Sequence, residues 1–179
     1  MTLTPRQSFA FQPVPLDRPM VIVNERLVRA PVREIFALAR DVEHWPAHLA
    51  HYRWVRFRER TPDGGGLVEM AAWRPFGLFR WPTWWVSAMQ VDNERPAIRF
   101  RHLEGITHRM DVGWTFVPES GGTRVRIVHA WNGPGWPVIG VVAATTVIGP
   151  VFVHGIASRT LAGLAKVAER ASASSSSRS

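Results

Sequence analysis

The sequence predicts one α+β domain in which a curved antiparallel sheet of seven strands wraps a long C-terminal helix, with two short helices after the first strand. Three observations carry this. Strand-like alternation recurs from Met20 to Trp131, with turn signals between the runs. A short amphipathic stretch, Val32 to Ala39, interrupts it after the first run. A segment from Gly149 to Ala171 then carries apolar residues at helical spacing. A sheet with one apolar face and a helix with one apolar stripe bury both by laying the helix across the sheet. The 179 residues suit a single domain, large enough to bury about two thirds of its unfolded surface.

In chain order, residues 1–19 read as a flexible arm: prolines break them, and they lack the apolar core of a signal peptide, so the cytoplasm is the expected compartment. The domain proper is 20–171. Met20 to Val28 alternates as the first strand. Pro31, with no N–H to lose, opens a helix whose apolar face is Ile35, Phe36, Leu38 and Ala39, and Trp45-Pro46 ends or redirects it. His51 to Arg60 and Leu67 to Trp73 flank the turn Thr61-Pro62-Asp63-Gly64-Gly65-Gly66 and form a hairpin. Thr83 to Asp92, Ala97 to Glu104, Arg109 to Val117 and Thr123 to Trp131 follow, the last two joined by Glu119-Ser120-Gly121-Gly122. With no parallel crossover among them, these strands make a meander that must curl. Gly135 to Ile156 is almost uncharged, yet Pro137, Pro150, four glycines and His154 break it into pieces too short to span a membrane, which suits a buried or interfacial segment. From Val151 onward Phe152, Ile156, Leu161, Leu164, Val167 and Ala168 share one helical face, and Ser172 to Ser179 read as a disordered tail.

Composition narrows the chemistry. There is no cysteine, which removes disulfides, thiolate catalysis and cysteine metal sites. The net charge of +8 raises the question of nucleic acid, but every basic residue except Lys166 is an arginine, and the arginines are spread along the whole chain. Arg53, Arg56, Arg58 and Arg60 share one strand near Trp54 without a nucleic-acid-binding motif around them, so no nucleic-acid partner is expected. Nine tryptophans against one tyrosine point instead to a large apolar volume that is lined or packed.

Alternation on the last strand places Val125, Ile127, His129 and Trp131 on the inner face, opposite Arg124 and Arg126. An imidazole in an apolar cavity titrates near working pH and can take a proton from a methylene between two carbonyls, then return one in dehydration. The competing reading makes His129 a core histidine satisfied by a backbone carbonyl. His102 and Glu104 share a face with Ile98 and Phe100, either as a second polar spot at the cavity or as rim solvation. His44, His48 and His51 crowd the short helices, but Pro46 breaks their register and no carboxylate is well placed, so no metal is expected. Trp45, Trp85, Trp114 and Trp131 fit cavity walls, with an indole N–H to orient a carbonyl. Trp73 to Pro82 reads as a loop carrying two phenylalanines, a leucine and two tryptophans among arginines, a composition suited to peripheral membrane contact through Phe76 to Trp81 or to folding inward as a lid.

Several pieces, Ala30-Pro31 with its helix, Trp45-Pro46 with Leu49 and Tyr52, Trp85-Val86-Ser87, and Gly113-Trp114-Thr115-Phe116 leading to Gly121-Gly122-Thr123, resemble the START/Bet v 1-like (SRPBCC) superfamily, in particular its polyketide cyclase/dehydrase branch and the tetracenomycin-type aromatase/cyclases. The resemblance covers roughly residues 20 to 170. It implies a helix-grip fold with an internal pocket approached by Trp45, Tyr52, Trp85, Ser87 and His129, in which a poly-β-ketone chain is folded for aldol cyclisation and dehydration without a cofactor. The family's acid/base arginine falls on Met89, which can neither polarise a ketone nor hold an enolate, and His129 stands where the relative has glutamine.

The sequence therefore predicts a monomer or homodimer that binds a small hydrophobic or polyketide-like molecule. As a cyclase it would use His129 with Tyr52 or Ser87 as hydrogen-bond donor, and Trp45, Trp85, Met89, Phe100, His102, Trp114, Trp131, Phe152 and Ile156 would line the ligand. The alternative is a lipid or isoprenoid carrier acting at a membrane surface.

Overall fold

The computed structural model of the chain describes residues 11, 13–76, 79–133 and 154–176. Seven strands, β1 (Met20–Val28), β2 (Tyr52–Arg60), β3 (Gly66–Phe76), β4 (Phe79–Asp92), β5 (Ala97–Gly105), β6 (Asp111–Glu119) and β7 (Gly122–Trp131), form one antiparallel sheet in the order β1-β7-β6-β5-β4-β3-β2. Six consecutive strands form the expected meander, and β1 closes onto β7 with Met20 opposite Trp131 and Val28 opposite Thr123. Between β1 and β2 lie α1 (Val32–Arg40), a 3₁₀ turn (Val42–His44) and α2 (Trp45–His48). The long helix α3 (His154–Ser176) crosses the concave face and buries Ile156, Ala157, Leu161, Leu164, Ala165 and Ala168. This is the helix-grip fold.

Local chemistry explains the joints. Pro31 takes the N-cap of α1 rather than its first turn, and its carbonyl accepts from the Glu34 N–H at 3.0 Å. Ile35, Phe36 and Ala39 turn inward as the pattern requires. Trp45 ties α2 back to α1, its indole N–H donating to the Leu38 carbonyl at 3.1 Å. Gly163 lets α3 approach this corner, since a Cβ there would collide with the Leu49 side chain. Gly105 ends β5 at φ +98°, where a Cβ would lie 2.5 Å from the Trp84 carbonyl oxygen.

Three expectations need correcting. Trp73 to Pro82 is not a loop: β3 and β4 run on as a hairpin, with Trp73 opposite Pro82 and Phe76 opposite Phe79. β2 accompanies β3 only to Ala72 and β5 accompanies β4 only to Trp85, so the ribbon's outward edges carry no ladder and its prolines remove nothing. The second correction concerns the C-terminus, where α3 continues through Ser176, with the Ser172 hydroxyl hydrogen-bonded to Glu34 of α1. Finally, a register shift between Val86 and Ser87 places Ser87 opposite His102 but Val86 opposite Glu104, so His102 faces the concave side while Glu104 is exposed and pairs with Arg58 at 3.1 Å.

The arginine-rich β2 forms no open basic face. Arg56 and Arg58 hold the buried Glu69 at 2.7 and 3.0 Å, Arg60 pairs with Glu43, and Arg53 lies over the Trp73 ring at 4.7 Å.

Candidate functional site

The concave face encloses a cavity of ≈ 60 Å³ between sheet and helix. Each part of the fold contributes to it. α2 supplies Trp45, β2 supplies Tyr52, and β3 and β4 supply Met70 and Trp85, which stand opposite each other in register. β5 supplies Phe100 and His102, β6 supplies Val112 and Trp114, and β7 supplies His129. α3 closes the top with Ile156, Ala157 and Thr160. The β5–β6 connector adds Thr107 and, at its junction with β6, Met110.

The walls form an aromatic cage. The Trp45 ring stands edge-on to Tyr52 at 5.2 Å and tilted against Trp114 at 5.8 Å, while Trp85 stacks on His102 at 6.0 Å and 21°. Such contacts hold large rings rigid in a low-dielectric space. The polar groups are few and tied to one another. His102 Nδ1 lies 2.6 Å from Thr107 Oγ1, and His51 Nε2 lies 3.0 Å from Thr160 Oγ1. No carboxylate or arginine is among the described lining residues. Such a site suits an apolar body bearing neutral oxygens.

Of the residues expected from sequence, Trp45, Tyr52, Trp85, Phe100, His102, Trp114, His129 and Ile156 come together here. Ser87, Met89 and Trp131 also belong to the concave side but are packed behind the lining: Ser87 is wholly buried, Met89 sits in the hydrophobic core, and the Trp131 indole N–H donates to the His108 carbonyl at 2.8 Å. Phe152 and the apolar segment 134–153 lie outside the described residues. The helix-end histidines are engaged separately, His44 with Asp41 at 2.8 Å and His51 with Thr160. Thr107 carried no sequence signal, because a connector has no periodicity to reveal which side chains turn inward, whereas Met110 shares the parity of Val112, Trp114 and Phe116 in the run expected from Arg109, a signal that the expected lining left out.

Residues 28–146, more than half of the chain, match the model of the family described as polyketide cyclase/dehydrase and lipid transport. The chain belongs to that family. Family membership and the apolar cavity together make it a binder of a small hydrophobic ligand. The fold recurs in TTHA0849 from Thermus thermophilus, with a TM-score of 0.71 and 23% identity over 86% of this chain and 99% of that one. It recurs also in the ZhuI aromatase/cyclase from Streptomyces sp. R1128, with a TM-score of 0.65 and 17% identity over 84% and 94% of the two chains. A START superfamily protein from Mycobacterium smegmatis aligns with a TM-score of 0.59 and 18% identity over 83% and 94%. At these identities the likeness is one of fold. No helix among the described residues is long and apolar enough to cross a membrane.

Proposed function

We propose that this family member folds a small poly-carbonyl, polyketide-like molecule in its cavity and catalyses cofactor-independent aldol cyclisation and dehydration. The observation that carries this reading is a cage of three indoles with imidazoles among its walls and no charged side chain among the described ones. His129 takes a proton from a methylene flanked by two carbonyls, the enolate carbon attacks a second ketone, and the imidazolium protonates the resulting alkoxide. The same ring then removes a further α-proton and returns it to the departing hydroxyl, which leaves as water. Tyr52, in the same wall, supplies an O–H towards the developing oxyanion. Met89 stays in the core, so the proton work rests on imidazole rather than on a guanidinium at that position.

At ≈ 60 Å³ the cavity is below the roughly 300–1,000 Å³ of drug-sized pockets, so a ligand enters by opening it. Met70 and Met110 are the adaptable walls. The test is turnover of a poly-β-ketone thioester mimic followed by product chromatography. His129→Ala is expected to lower product formation by about 10²-fold or more while leaving ligand binding largely intact. Unchanged product formation by that variant overturns the role.

One observation favours a second reading, that of a lipid or isoprenoid carrier working at a membrane. The β3–β4 ribbon projects beyond both neighbouring strands and carries Trp81 at 65% exposure beside the exposed Arg80. Cosedimentation with anionic liposomes that Trp81→Glu abolishes supports it, and cosedimentation unaffected by that substitution removes it.

A further inference from the structure

The β5–β6 connector is held to His102 from several directions. The His102 N–H donates to the Met110 carbonyl and the Arg109 N–H to the His102 carbonyl, both at 2.9 Å, while the side chain meets Thr107 at 2.6 Å. Arg109 takes φ +66° in this connector, a left-handed conformation that is strained for a non-glycine residue and persists where the surroundings over-determine it. Trp85 stacks on the other side of the ring. Of these contacts, the Thr107 bond and the Trp85 stacking are the ones that fix the imidazole itself.

Sheet register relates this ring to His129. Phe100, Val112 and His129 stand side by side across β5, β6 and β7, and His102 lies one inward-facing position further along β5. Two strand spacings and two residues of rise separate the two backbones by about 12 Å, and inward side chains on a concave sheet converge from there. The indoles of Trp45, Trp85 and Trp114 form the remaining walls.

Building on the cavity reading above, we infer that His102, oriented by Thr107, is a second oxygen-binding group opposite His129, so that the cavity selects ligands, folded poly-carbonyl chain or ring system alike, that carry two neutral oxygen functions, hydroxyl or carbonyl, across an apolar body. With Nδ1 committed to Thr107, the ring meets a ligand through Nε2. One oxygen is held at each imidazole and the ring system lies against the indoles. His102 is a ligand-binding residue in this scheme and Thr107 a positioning residue.

The experiment titrates the full chain with naphthalene, 2-naphthol and 2,6-dihydroxynaphthalene, following quenching of tryptophan fluorescence. The diol is expected to bind about three- to tenfold more tightly than 2-naphthol, the worth of one further neutral hydrogen bond. His102→Phe is expected to erase that gain while leaving naphthalene affinity unchanged. Thr107→Val reduces the gain and Thr107→Ser retains it, a distinction that a purely structural role would not produce. A diol that binds no more tightly than 2-naphthol overturns the inference, as does a gain that survives in both His102→Phe and Thr107→Val. Naphthalene binding without any oxygen preference overturns the inference by removing both anchors while leaving the apolar cavity standing. Failure of all three probes to bind removes the cavity reading as well.

Discussion

The two faces of the sheet are built from the same strands and treat polar groups in opposite ways. On the convex face, Glu69 is buried to 4% exposure yet saturated by Arg56, Arg58 and the Trp84 indole N–H. On the concave face one residue further along β3, Met70 looks into a cavity whose described walls hold no carboxylate, lysine or arginine, and where His102 leans on Thr107. Convex polarity is balanced within the protein and holds strands in register. Concave polarity is sparse and, among the described lining residues, free of carboxylates, lysines and arginines, which suits a site that is to bind an apolar ligand. The contrast separates groups that stabilise from those that the proposed function uses.

The largest expected effect comes from adjacent residues of β6. Trp114 points inward against Trp45 and Phe116, while Thr115 is exposed on the other face. Trp114→Ala is expected to cost about 3–5 kcal/mol in urea unfolding and to enlarge the cavity, whereas Thr115→Ala stays within about 0.5 kcal/mol. Similar losses for the two would mean that the inner wall is not packed as described.

A smaller effect, with a pH signature, belongs to the convex face. Hydrogen bonds from Arg58 and Arg56 hold the Glu69 carboxyl down to about 2, against an ordinary 4.5. A depressed carboxyl contributes stability that is complete above the unfolded value and is lost as pH falls through the folded one. Glu69→Gln is expected to cost about 1–3 kcal/mol at neutral pH and to flatten the decline in stability between about pH 5 and pH 2. Denaturant midpoints across that range check it. An unaltered acid slope in the variant would show that the pair carries no linkage, and cavity binding should be unchanged throughout.

Alternation made most of this legible. It predicted each strand and the inward turn of His129, because one buried face forces period-two patterning. It failed where a local event changes the period without leaving a mark. The bulge after Val86 sends Glu104 outward although His102 and Glu104 are two residues apart. Trp73 to Pro82 reads as a loop, but its prolines sit on a ribbon whose edges need no donors. The serines from Ser172 read as a tail, yet alanines alternate with them and Ser172 reaches Glu34, so the helix is anchored beyond its apolar stripe. Thr107 was invisible for the opposite reason: its inward placement in a connector is tied to the His102 side chain, not to a period.

One convex site departs from the rule and gives the smallest effect. Arg99 is 7% exposed and faces Asp111 at 3.6 Å, with no hydrogen-bond partner for its Nη1 atom among the described residues and burial pushing the guanidinium pKa down. Residues before β1 help to enclose this pair: a Cβ on Gly113 would lie 2.5 Å from Val14 Cγ2 and 3.4 Å from Arg99 Nη1. Val14 therefore passes over a glycine because a larger residue would leave it no room. Gly113→Ala is expected to lift the arm and readmit water to Arg99, which offsets part of the lost packing, so the net cost should be about 1 kcal/mol or less. Limited proteolysis should show faster cleavage before Met20, with ligand binding unaltered. Unchanged cleavage would place the arm's hold elsewhere, and a loss of ligand affinity would show that the two faces are coupled through the strands they share.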